Sequence, residues 1–127
     1  MNISQPSSGG RVSQIILWVL RVLLGAAFLF AGFSKLTGQP MMVAEFDQVG
    51  LGQWFRYVTG LLEVVGAIAL VVPRSSVLGA ILLLAVDAGA FVAQVGVLHM
   101  DWIHTIVIGA LLAVVVYLQR KALPFIN

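Results

Sequence analysis

Four apolar runs dominate this chain, and they leave it little to fold into except a lipid bilayer. They cover residues 15–33, 55–72, 77–97 and 102–118. At about 1.5 Å per residue the first is about 28 Å long, close to the hydrocarbon thickness of a membrane. No run is long enough to cross twice. Pro73 stops the second, and Arg120 and Lys121 end the fourth, with Pro124 soon after. The link Pro73-Arg74-Ser75-Ser76 reads as a tight hairpin between antiparallel helices, and the link at residues 99–101 is equally short. The pattern predicts an all-α integral membrane four-helix bundle over residues 15–119. A disordered tail at 1–14, rich in Ser and Gly, precedes it, and a short tail at 120–127 follows.

Composition bears on what this chain can bind. It is 61% apolar and 9% charged, whereas a soluble domain carries about 25% charged residues. Seven basic residues face five acidic ones, a net charge of +2. The basic residues are scattered rather than gathered into a stripe, which argues against nucleic acid and for a role in topology. There are no cysteines, so disulfides, thiol redox chemistry and thiolate metal sites are excluded. The start of the chain resembles a signal peptide, with Arg11 before an apolar run. That run exceeds the usual apolar stretch of about 7–15 residues, and Arg21 interrupts it, so an uncleaved anchor is expected.

Lys and Arg in short flanks set orientation. Arg11, Arg74, Arg120 and Lys121 fall on one side of the runs, and Lys35 and Arg56 on the other, with Glu45, Asp47 and Asp101. The balance favours both termini in the cytoplasm of a multi-pass protein. Residues 34–54 then lie outside. Pro40 suits the first turn of a helix, Met42, Phe46 and Val49 fall on one face, and Gly50 and Gly52 end it. This predicts a short amphipathic helix in the first external loop, on the membrane surface or capping the bundle. A plain re-entry loop is the alternative.

The charges inside the runs are the most informative residues, because each costs about 2.5–3.5 kcal/mol to insert. Three are present: Arg21, Glu63 and Asp87. Arg21, Gly25, Phe28, Gly32 and Lys35 form one stripe, and Arg56, Gly60, Glu63 and Gly66 another. Asp87 and Gln94 share a face of the third run. Such stripes should face each other, away from lipid. The fourth run carries only His104 near its outer end and reads as scaffold. Glu63 and Asp87 both lie near the midplane. Side chains tilt toward the start of their own helix, which favours an Arg21–Asp87 pair over Arg21–Glu63. Glu63 would then be protonated, accept from Thr59, or reach Arg56 through water. Arg21, Glu63, Asp87 and Gln94 are the expected lining of an intramembrane polar pocket, with Lys35, Arg56 and His104 as polar groups on the outer side. The competing reading is that these pairs only fix helix packing.

His99, Asp101 and His104 crowd the outer end of the last hairpin. Their spacing matches no metal motif, and an interfacial cap anchored by Trp102 is the better reading, so no metal is expected. Trp18, Tyr117, Trp54 and Tyr57 are ordinary belt residues, and no phosphate-binding glycine loop or nucleophile–histidine pattern is present.

These features together resemble the DoxX-like family of small bacterial four-helix membrane proteins. The segments that carry the resemblance are LRVLLGAAFLFAGFSKLTG from Leu20 and TGLLEVVGAIALVVPRSSVLGAILL from Thr59. Arg21, Gly25, Gly32 and Lys35 match the first-helix pattern, and Gly60, Glu63 and Gly66 the second-helix pattern closed by Pro73-Arg74. Relatives often carry His near the position of Gln94, where this chain departs. The resemblance implies an accessory subunit of a quinone-linked redox or oxidative-stress system. It would hold a quinone non-covalently and depend on a membrane redox partner protein for electrons, without catalysis of its own. Other relatives imply a non-enzymatic membrane assembly or chaperone-like protein. A small proton-coupled transporter is the third reading, and would need a homo-oligomer, since four spans without a repeat make a poor carrier. What separates the first two is whether the polar stripes enclose a cavity or close on themselves.

Overall fold

The computed structural model describes residues 8–98 and 102–120. Among them there is no strand, and the architecture is all-helical. Helix α1 covers Ser8–Leu36, α2 Pro40–Val49, α3 Gln53–Val71, α4 Ser76–Ala93 and α5 Ile103–Leu118. A π-helical turn, Gln94–Leu98, extends α4. Three stretches are long and apolar enough to cross a membrane: 10–36, 53–71 and 76–98. At 16 residues, α5 is apolar but shorter.

Two boundaries differ from expectation. The first helix begins at Ser8, inside the segment read as a tail, and ends at Leu36 rather than at residue 33. Once a helix is nucleated, adding residues costs little, and no proline follows Pro6 until Pro40. The third apolar run ends in a π turn, which no residue type announces. The tail residues 1–7 and 121–127, with His99 and Asp101, lie outside the described residues.

Each long helix touches two others: α1 lies against α3 and α5, and α4 against α3 and α5. Helix α2 packs across the end formed by α1, α3 and the π turn. Its bounds follow from its sequence. Pro40 opens it, and Gly50, at φ 83°, closes it by donating its N–H to the Phe46 carbonyl. Phe46 is the buried residue of its apolar face, with Met42 and Val49 half-buried.

The exterior is apolar and the charges point inward, the reverse of a water-soluble protein. Phe30 is 77% exposed, while Arg21 is 3% and Arg56 and Glu63 are each 5% exposed. A continuous apolar coat of this kind needs a lipid solvent or partners to cover it.

The core occupies only one half of the molecule. Leu24, Phe28, Ala67, Leu70, Ala80, Leu83, Leu112 and Val115 form it, with two residues from each long helix. All lie toward the end that carries the Pro73 turn. Close approach there depends on missing side chains. A Cβ on Gly79 of α4 would stand 2.6 Å from the Leu70 nitrogen and 2.8 Å from the Gly66 carbonyl of α3. The seam between α1 and α3 is also tight, and stays so toward the α2 end, where a Cβ on Gly32 would stand 2.8 Å from the Gly60 carbonyl. Toward the α2 end the two partners of α4 separate, and a Cβ on Gly89 would meet nothing within 4 Å. The fold is therefore filled at the Pro73 end, while toward the α2 end the α1–α3 seam stays closed and space opens beside α4.

Candidate functional site

Two of the buried cations hold backbone, not carboxylates. A helix leaves its last carbonyls without partners, and in an apolar solvent no water satisfies them. Arg21 of α1 answers this for α3: its Nε donates to the Leu70 carbonyl at 3.0 Å and its Nη2 to the Val71 carbonyl at 2.9 Å. Arg56 of α3 does the same for α1, its Nη1 donating to the Lys35 carbonyl. Its Nε donates to Gln53 Oε1 at 2.7 Å, and Gln53 in turn donates to the Val43 carbonyl of α2 at 3.0 Å. Both guanidiniums stack on a neighbouring ring, Arg21 on Trp18 at 4.2 Å and Arg56 on Tyr57 at 4.3 Å. The antiparallel helices α1 and α3 thus cap each other's ends.

This corrects the expected pairings. Arg21 does not pair with Asp87, and Arg56 is not the partner of Glu63. The physical reason is reach: the carbonyls at the end of α3 lie within hydrogen-bonding distance of Arg21, and in an apolar setting no water is there to satisfy them. Thr59 donates to the Phe55 carbonyl of its own helix at 2.8 Å, not to Glu63.

Glu63 instead meets Lys35, with Nζ 2.8 Å from Oε1. Their side chains are 7% and 15% exposed. At that distance the Lys35 ammonium, with three donors on a rotatable stem, gives the buried Oε1 a charge-assisted hydrogen bond. The pair lies on the boundary of two cavities, one of about 370 Å³ and one of about 200 Å³. Both are bordered by Lys35, Glu63, Val86, Ala90 and Gln94.

The larger cavity runs between α3 and α4 beneath α2. Its walls are apolar, with Phe46, Phe55, Leu62 and Leu82 among them, and its polar groups are Lys35, Glu45, Thr59, Glu63 and Gln94. Val58 and Leu62 belong to its wall and to the exposed apolar surface at once, so it opens sideways between α3 and α4. The smaller cavity is the more polar, bordered by Asp87, Gln94, His104 and Thr105 as well as by the ion pair.

Asp87 and Gln94 therefore share the smaller cavity with Glu63, while Arg21 borders neither. Lys35 and His104, expected only as outer polar groups, face it too, and Arg56 does not. Helix α5 is more than scaffold. Buried Thr105 donates its hydroxyl to Gln94 Oε1, and His104 Nε2 lies 3.4 Å from that hydroxyl. Gly109 makes room for the Asp87 carboxylate, since a Cβ there would stand 2.7 Å from Oδ2. A lone threonine in an apolar helix usually bonds its own preceding turn, so Thr105 carried no signal in the sequence. Among the described residues no group of three His, Cys, Asp or Glu is placed to hold a metal.

The arrangement offers hydrogen-bond donors from Lys35 and the Gln94 amide, an acceptor at Glu63, and apolar walls that exclude water. It can orient a small polar head on an apolar body.

Charges folded inside a lipid-compatible coat define a membrane protein. The chain belongs to the DoxX-like family, whose model matches residues 19–118. No curated protein and no solved structure matches it.

Proposed function

We propose that this DoxX-like membrane protein is an accessory subunit of a quinone-linked redox or oxidative-stress system in the bacterial inner membrane. In this reading α1, α3, α4 with its π turn, and α5 cross the bilayer as a four-helix bundle, with both termini in the cytoplasm. The α2 end then faces outward. Arg11, Arg74 and Arg120 at the opposite end support that orientation.

The observation that carries the reading is the cavity of about 370 Å³ beneath α2. Its size lies in the range of small-molecule sites, about 300–1,000 Å³, and its apolar walls with a few convergent polar groups have the usual make-up of such a site. Polar stripes that served only to lock helices together would close on each other and leave no such space. The sideways opening at Val58 and Leu62 gives a lipid-soluble molecule a path from the bilayer. Lys35 and Gln94 would hold the oxygens of a quinone ring, and the ring supplies two-electron chemistry when bound. Electrons would come from a partner protein, and a second copy of the chain is a further candidate neighbour.

Native mass spectrometry of the protein, extracted gently from its own membranes, tests this. A retained mass matching a quinone supports the reading. A retained protein partner without a small molecule would favour the assembly role instead. Orientation is tested separately, since the chain has no cysteine. Gln39→Cys should react with an impermeant maleimide on intact cells and Ser75→Cys should not; the opposite pattern would reverse the topology.

A further inference from the structure

Charge is divided as unevenly as space. Among the described residues the acids are Glu45 and Asp47 of α2, with Glu63 and Asp87 beside the cavities. None of them lies at the Pro73 end. That end carries arginines instead: Arg21, committed to the α3 carbonyls, and Arg11, Arg74 and Arg120, all exposed. Arg74 and Arg120 stand on adjoining ends, because Ser76 donates its hydroxyl to Gln119 Oε1 at 2.9 Å and so ties the start of α4 to the end of α5. Arg120 gives one nitrogen to the Tyr117 carbonyl at 2.7 Å and lies over the Tyr117 ring at 4.1 Å. A guanidinium has five N–H donors, so most of them remain. Among the described residues the ion pair is that of Lys35 and Glu63, and neither Arg74 nor Arg120 meets a carboxylate.

Apolar surface adjoins these cations. Leu78, four residues after Arg74, is exposed, and so is Leu118, two before Arg120. Helix α1 stands clear of its neighbours here: every residue from Arg11 to Ile16 is exposed, about 9 Å of helix, Val12 and Ile15 included. A partner for this end must therefore be anionic and apolar at once. A free anion meets the first demand only. A phospholipid meets both, with its phosphate against guanidinium and its acyl chains along Leu78 and Leu118. The rest of the headgroup then decides the class. The ammonium of a zwitterionic lipid would enter a region of arginines with no carboxylate to receive it, whereas a headgroup charged only at its phosphate meets no repulsion.

We infer that the Pro73 end is a seat for an anionic phospholipid, with Arg74 and Arg120 holding its phosphate. Guanidiniums suit that group, since each can grip two phosphate oxygens through parallel N–H donors. Arg11 adds to the attracting field. The inference is independent of what the cavities bind and concerns the opposite half of the molecule. It makes these arginines a binding site as well as a topology signal.

The test is a binding comparison on the full chain, delipidated in dodecyl maltoside. Dioleoyl phosphatidylglycerol, dioleoyl phosphatidylcholine and glycerol 3-phosphate are titrated separately, and occupancy is read by native mass spectrometry. The expected result is half-occupancy by phosphatidylglycerol at a concentration at least about tenfold below that for phosphatidylcholine, with glycerol 3-phosphate weaker than either. Equal binding of the two lipids would overturn the seat. Glycerol 3-phosphate binding as tightly as phosphatidylglycerol would mean an anion site that needs no lipid, and would overturn it too. In Arg74→Gln/Arg120→Gln the ratio should fall to about one; both side chains are exposed, so the fold does not rest on them. In Asp47→Asn, an exposed charge change at the far end, the ratio should hold. A preference that survived the double arginine variant, or moved as far in Asp47→Asn, would show that net charge rather than this seat selects the lipid.

Discussion

The two halves of this molecule are built from the same four helices and solve opposite problems. In the half that carries the Pro73 turn, glycine and alanine let backbones meet, and apolar side chains such as Leu70, Leu83 and Leu112 leave no exposed surface. In the half beneath α2 the α1–α3 seam stays closed at Gly32 and Gly60, but α4 stands apart, and beside it lie an ion pair, an amide and two cavities. The comparison teaches that small residues alone do not produce close packing. Gly79 lies against the backbone of α3, whereas Gly89, ten positions later on the same helix, faces open space.

The largest effect should come from breaking the ion pair of the hollow half. Lys35→Met leaves a carboxylate without its countercharge, and losing one partner of a buried pair costs about 3–5 kcal/mol. Thermal unfolding in detergent should show a large fall in Tm, and adding Glu63→Leu should recover most of it. No recovery would mean that the pair matters for more than its charge balance. Next comes Arg21→Met in the filled half, which strips hydrogen bonds from two carbonyls of α3. Each unsatisfied group costs about 1–3 kcal/mol, so the same melt should drop clearly, though less than for Lys35→Met if water reaches the helix end.

The comparison is sharpest between two identical substitutions. Gly79→Ala pushes a methyl group into the backbone of α3 and should destabilise by about 1–3 kcal/mol, as overpacking does. Gly89→Ala meets no neighbour and should stabilise by up to about 1 kcal/mol through helix propensity alone. Opposite signs in the two Tm shifts would uphold the division into filled and hollow halves, and equal shifts would break it.

How much of this could be read beforehand depends on whether a feature leaves a periodic or turn-specific trace. The ends of α2 are marked by Pro40 and Gly50, and the turn after α3 by Pro73, because proline and glycine restrict the backbone locally. The stripes from Arg21 to Lys35 and from Arg56 to Gly66 were legible because helical faces repeat. The partners of the charges were not. Arg21 and Arg56 bind carbonyls, and a backbone acceptor has no signature in a sequence. Lys35 reads as an end-of-helix cation until α1 is seen to continue to Leu36, which brings it level with Glu63. The π turn begins at Gln94, whose amide meets Thr105, and the residues around it are ordinary for a helix.

The mutual capping of α1 and α3 limits how this protein can move. Sliding one helix past the other by a turn would strand the Leu70 and Val71 carbonyls and break the Arg56–Lys35 carbonyl contact, and the Gly32–Gly60 approach leaves no room for a side chain at the shared seam. That pair behaves as a fixed post. Helices α4 and α5 are joined to each other instead at the Pro73 end, where Ser76 donates its hydroxyl to Gln119 Oε1 at 2.9 Å and a Cβ on Gly79 would meet the backbone of α3.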